Sequence, residues 1–196
     1  MASFLRRAAC RSSGLSARGL QALRPVPKAD YFALTECERR FDLDLPALHE
    51  RYKAFMVQIH PDKLASRPKA ERAELASQAA TLTQAMSILR DPAQRAKHLL
   101  ELVGRPLGEE TSDGALLSSG FLGEMLELRE EVEDAGSDEA QLQRLNSENE
   151  LKIQTLSARL ASAFQSGDLD AATGLTAELQ YLQRIQTEIA ERRDAQ

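Results

Sequence analysis

Apolar side chains recur at steps of three and four along most of the chain, the period of an amphipathic helix. Leu45, Leu48, Tyr52, Phe55 and Ile59 form one such stripe, opened by Asp44 as a capping residue, with Pro46 tolerated in the first turn. Pro61 pushes His60 out of the helical region, so this stripe is expected to stop at His60. Helical character resumes at about Pro68-Lys69-Ala70, and Leu75, Ala79, Leu82, Met86 and Leu89 form the second stripe. Two stripes joined by a short loop pack antiparallel. His60, Pro61, Asp62 and Lys63 therefore stand at the tip of a helical hairpin. Asp91 caps a further helix from Pro92, whose apolar face of Ala96, Leu99, Leu100 and Val103 runs to Gly104. Upstream, Asp30-Tyr31-Phe32-Ala33-Leu34 suits a short first helix packed on the later ones.

From Gly104 to Gly120 the period gives way to Gly, Pro, Ser and Thr, which reads as a linker. Three more helical patterns follow. The first carries Phe121, Leu122, Met125, Leu126, Leu128 and Val132 and ends near Gly136. The second carries Leu142, Leu145, Ile153, Leu156, Leu160 and Phe164 and ends at Gly167. Asp168 caps the third, with Ala172, Leu175, Leu179, Leu182, Ile185 and Ile189. Short loops between them imply a three-helix bundle, and no alternating run supports a strand, so the fold class is all-α.

Composition agrees. The 196 residues contain no Trp and three Tyr and are rich in strong helix formers. No run approaches the roughly eighteen apolar residues of a membrane-crossing helix. The net charge of −5 is unevenly spread. Residues 1–28 hold Arg6, Arg7, Arg11, Arg18, Arg24 and Lys28 and no acid, whereas residues 113–196 hold seven basic and seventeen acidic residues. An Arg- and Ser-rich, acid-free start without a continuous apolar segment is the composition of a mitochondrial transit peptide. The expected division is a leader at 1–27, a hairpin domain at 28–104, a linker at 105–119 and a bundle at 120–194. Cys10 falls in the leader and leaves Cys37 alone, which excludes a disulfide framework and metal-ligand spacing.

His60 and Asp62 admit a proton-transfer reading, but no nucleophile, phosphate cradle or oxyanion donors accompany them, so enzymatic use is not expected. His49 and His98 lack metal-ligand spacing and read as solvated or capping residues. Glu127, Glu130, Glu131 and Asp134 share one helix face, beside Leu122 and Leu126. Such a stripe is either a solvated face or a docking surface for a basic or mixed partner.

The His60-Pro61-Asp62-Lys63 sequence between two amphipathic helices resembles the J-domain of DnaJ-type co-chaperones. Asp30-Tyr31-Phe32, Phe41-Asp42-Leu43-Asp44, His60 to Ser66, Thr83-Gln84-Ala85, Leu89-Arg90-Asp91-Pro92, Arg95-Ala96, Leu99 to Gly104, Phe121-Leu122 and Met125 to Glu131 resemble the HscB family. The similarity runs from about Asp30 to about Arg192. The resemblance implies an L-shaped co-chaperone of iron–sulfur cluster assembly in the mitochondrial matrix. Its J-domain would stimulate the ATPase of a DnaK-type chaperone, and its bundle would bind and deliver an IscU-type scaffold protein.

By position, His60, Pro61 and Asp62 would contact the ATPase, with Lys63 supporting that surface. Arg51 and Lys53 would add positive charge on a helix less basic than in many J-proteins. Leu122, Leu126, Glu127, Glu130, Asp134 and Tyr181 match the scaffold-binding positions. Two departures stand out: Gly123 replaces a residue that is often large and apolar in relatives, and the paired CxxC motifs of some animal members are missing, so no zinc is expected. No cofactor, nucleic acid or membrane is implied, and self-association, at most weak, stays open. The alternative is a general protein-folding J-protein whose bundle binds unfolded clients.

Overall fold

The computed structural model describes residues 30–59, 68–108 and 117–194. The 1–27 leader, the tip residues His60, Pro61, Asp62 and Lys63, and positions 109–116 of the expected linker lie outside the described residues. Among the described residues there are seven helices and no strand, so the fold is all-α. They are α1 (Tyr31–Leu34), α2 (Leu45–Gln58), α3 (Lys69–Arg90), α4 (Pro92–Leu102), α5 (Ser119–Ala135), α6 (Glu139–Ser166) and α7 (Leu169–Asp194).

The helix ends follow local chemistry. Carboxylates of Asp44, Asp91 and Asp168 accept from the backbone N–H groups of Ala47, Gln94 and Ala171 at 2.9–3.0 Å, as the capping reading expects. Gly136 and Gly167 end α5 and α6 with φ of +52° and +75°, conformations that a side chain would strain. Helix α4 ends one residue earlier than its apolar period suggests. Val103 is its C-cap residue and is 53% exposed rather than part of the buried face.

Helices α2 and α3 form the expected antiparallel hairpin. The Tyr52 and Thr83 hydroxyls meet at 3.3 Å, and further along α2 the partner of Ile59 is Leu75. Helix α1 packs against α3, and its Phe32 is wholly buried. In the bundle, α6 and α7 form a long antiparallel hairpin whose register is marked by polar pairs. Asn149, wholly buried, donates to the Leu182 carbonyl at 3.0 Å and to Gln186 Oε1 at 2.6 Å, and Glu139 pairs with Arg193 at 2.7 Å. Helix α5 lies across this pair and buries Met125, Leu128, Val132 and Ala135.

One hydrophobic core runs through both halves, from Phe32, Leu48 and Leu100 to Val132, Leu160 and Ile185. Helix α4 packs against α7, where Gln183 donates to the Asp91 carboxylate at 3.2 Å. Leu107, within the expected linker, is buried in the same core, and Arg105 pairs with Asp170 of α7. The described part of the linker is thus tied down. His98 is buried, not solvated: its Nε2 accepts from the Tyr31 N–H at 3.2 Å and its ring stacks on Phe32. It does serve as a cap, for α1.

Candidate functional site

Rotation of α5 decides which of its residues meet solvent. Its buried positions step by three, four and three from Met125 to Ala135, which turns the opposite face outward. The Ser118 hydroxyl starts the helix by accepting from the Phe121 N–H at 3.1 Å. Leu122 and Leu126 are then 38% and 60% exposed, large apolar groups left uncovered. Glu127, Glu130 and Asp134 are exposed beside them and form no ion pair among the described residues.

Tyr181 of α7 reaches the same region. Phe121 meets its ring edge-on at 6.1 Å. Arg129, three residues after Leu126 and on the same stripe, donates to the Tyr181 hydroxyl and lies 3.5 Å from Glu188. The hydrogen bond to Tyr181, with Glu188 nearby, holds the Arg129 guanidinium still more firmly protonated than usual. Leu122 and Leu126 are thus exposed on the helix whose Phe121 and Arg129 reach Tyr181, while Glu127, Glu130 and Asp134 are exposed elsewhere on that helix. The sequence offers a signal for Arg129, which follows Leu122 and Leu126 at helical steps, but not for its bond to Tyr181.

Charge on this surface has an outer and an inner part. Glu178, on the α7 face that carries Tyr181, has its carboxyl pushed up by burial and by Glu124, with Arg159 acting the other way. The outer acids, Glu127, Glu130 and Asp134, stand exposed on α5.

The hairpin residues are placed differently. Arg51 is turned back on its own domain, with Nη1 donating to the Glu36 carbonyl at 2.7 Å and lying 3.4 Å from the Thr35 carbonyl and Cys37 Sγ. It thereby braces Glu36, which holds a φ of +53° without being glycine. Lys53 is exposed and pairs with Glu50 at 3.0 Å. Val57, one turn further toward the tip, is 57% exposed. Among the described residues no cluster of His, Cys, Asp or Glu could hold a metal ion, and no helix is long and apolar enough to cross a membrane.

Comparison with known proteins bears on both halves of this arrangement. The family model of the HSCB C-terminal oligomerisation domain matches residues 117–190. The fold is similar to the crystal structure of human co-chaperone protein HscB, with a TM-score of 0.78 and 27% identity over 88% of this chain and 86% of that one. The bundle is a domain of the HscB family. HscB from Vibrio cholerae is similar at 26% identity and a TM-score of 0.71, over 85% of this chain and 99% of that one. The Jac1 co-chaperone from Saccharomyces cerevisiae shares the fold, with a TM-score of 0.67 at 24% identity over 82% of this chain and 94% of that one. By these likenesses the chain is a co-chaperone in class. The Leu122–Tyr181 surface lies wholly within the matched bundle.

Proposed function

We propose that this chain acts in iron–sulfur cluster assembly in the mitochondrial matrix. It presents an IscU-type scaffold protein to a DnaK-type chaperone and stimulates that chaperone's ATPase. The observation that carries the reading is the pairing, on one chain with an HscB-family bundle, of a J-type hairpin and an exposed Leu122–Leu126 patch edged by unpaired acids.

The division of labour is physical. The tip residues His60, Pro61, Asp62 and Lys63 break no bond. They act by binding one conformational state of the chaperone better than another, and differential affinity is all such a shift requires. Lys53 adds a cation on the solvent face of α2, while Arg51 contributes mainly by holding the α1–α2 loop that supports the hairpin. At the other end, Leu122, Leu126 and Tyr181 supply apolar contact, and Glu127, Glu130 and Asp134 favour a partner surface carrying cations. The basic, acid-free residues 1–28 support a matrix address.

The test is to measure chaperone ATPase turnover and scaffold affinity with the same protein. His60→Gln is expected to abolish stimulation while scaffold affinity stays at the wild-type value. Loss of both together, or stimulation that survives His60→Gln, would end this reading.

A further inference from the structure

The start of α4 and the outer face of α7 enclose an open recess of about 410 Å³ in which every lining residue is polar. None of the positions expected to bind the chaperone or the scaffold lines it. Asp91 and Gln94 come from the α4 side, and Gln180, Gln183 and Arg184 from α7, at the three- and four-residue steps of one helix face. Part of this lining is engaged within the fold. The Gln183 amide donates to the Asp91 carboxylate at 3.2 Å, and Asp91 also accepts from the Gln94 backbone N–H at 2.9 Å.

Two groups are left over. Gln180 Oε1 is shut off from solvent and has no hydrogen-bond partner, a deficit that a donor would repair. Turning the terminal amide toward the recess would break no bond that Oε1 makes. Arg184 is exposed and pairs with no acid among the described residues, unlike Arg144, Arg192 and Arg193 of the same bundle. An acceptor that lacks a donor thus stands one turn from a cation that lacks an anion. A free small anion would answer only the second and would meet the Asp91 carboxylate beside it. A peptide answers both. Its backbone N–H serves Gln180, and the carboxylate of an adjacent Asp or Glu reaches Arg184, which helical spacing sets about 6 Å away. Tyr181, next to Gln180 in sequence, meets Phe121 and Arg129 of α5, so the recess continues the proposed scaffold surface across α7.

We propose that the α4–α7 recess is a second contact for the scaffold protein and takes an acidic turn of that partner, an inference that rests on the reading of the neighbouring surface as the scaffold site. The two contacts are then opposite in sign: the exposed acids of α5 favour cations, and Arg184 favours an anion. Complementary charges of both signs fix the orientation of a docked partner and disfavour the reversed one. Because Gln94 belongs to α4, the bound turn touches the hairpin half as well as the bundle.

Calorimetric titration of the purified IscU-type scaffold into wild type, Arg184→Glu, Gln180→Met, Arg72→Glu and Leu126→Ala tests this, with thermal melts of each and chaperone ATPase turnover for wild type and Arg184→Glu. Arg184→Glu is expected to weaken scaffold binding about ten-fold, and most of that loss should vanish in about 0.5 M salt. Gln180→Met should weaken it a few-fold while melting no lower than wild type, because the substitution removes an unpaired acceptor. Arg72→Glu makes the same change in net charge on exposed α3 and should leave affinity within about two-fold. Equal losses in the two charge reversals, or wild-type affinity in Arg184→Glu beside a weakened Leu126→Ala, would overturn the recess contact. Wild-type affinity in Leu126→Ala would overturn the scaffold reading itself. Reduced ATPase stimulation by Arg184→Glu at unchanged scaffold affinity would make the chaperone the occupant and overturn the proposal.

Discussion

Phe41 lies face to face with Phe164, with ring centroids 5.8 Å apart and planes 17° from parallel. The pair joins the loop before α2 to the end of α6. On Phe41 the Arg95 guanidinium also sits, 4.7 Å from the ring centre. Burial makes that guanidinium easier to deprotonate than usual, although Asp91 and Asp42 act against the effect. Its Nη1 donates to the Leu89 carbonyl at 2.6 Å and its Nε has no partner. Phe41→Ala should therefore cost about 3–5 kcal/mol, the usual range for a buried Phe. Because one core spans both halves, urea unfolding followed in the hairpin and in the bundle should give a single midpoint in wild type. Two separate midpoints would show that the joint does not couple them.

The proposed scaffold surface predicts a magnitude. Leu126→Ala combined with Tyr181→Ala should weaken scaffold binding by about 2–4 kcal/mol, as truncation of interface anchors does. Leu151, 64% exposed on α6, offers a contrast. Replacing it with Ser should leave affinity within about 0.5 kcal/mol. Equal losses at the two places would deny the surface any localisation.

Glu178 predicts a pH dependence. Its carboxyl is raised in the folded chain, chiefly by burial, so the ionised form is less comfortable folded than unfolded. Above the folded pKa this lowers stability, and the deficit fades as pH falls through the ordinary carboxylate range near about 4.3. Glu178→Gln should thus stabilise the protein at pH 7, by less than about 1 kcal/mol since solvent screens the site. Melts compared at pH 7 and pH 3.5 should show the advantage shrinking.

Asn149 predicts an asymmetry. Its amide N–H groups are satisfied by Leu182 and Gln186, while its Oδ1 has no partner. Asn149→Leu combined with Gln186→Leu removes both partners and the unmet need together, so the double variant should be neutral or mildly stabilising. Gln186→Leu strands part of the Asn149 amide and should cost about 1–3 kcal/mol. Chemical denaturation of the two variants checks the order.

Helix existence, caps and the α2–α3 pairing were legible because apolar period and capping chemistry are local properties. The same locality explains what was not. Arg51 reads as an available cation until the fold shows it turned onto the Glu36 carbonyl, 15 positions earlier. Val103 fits the period of α4, yet the helix ends before it and no neighbour covers it. His98 gives no sign in sequence that it caps a helix 67 positions away. At the proposed scaffold surface the exposed leucines and acids follow from helical spacing. The approach of Phe121 and Arg129 to Tyr181 depends on how α5 crosses α7, which no local pattern encodes.

The far end of the hairpin stands on a foundation of its own. Among the described residues, Ile59 and Leu75, with Phe55, Met56 and Ala79, form a cluster separate from the main core. A unit that shares no buried residue with the main core can open at lower free energy while the rest stays folded. Amide exchange should accordingly be faster around Leu75 than around Met86 on the same helix. Mechanically, such a joint acts as a fuse: load applied at the outer end is relieved there before it reaches the core shared with the bundle.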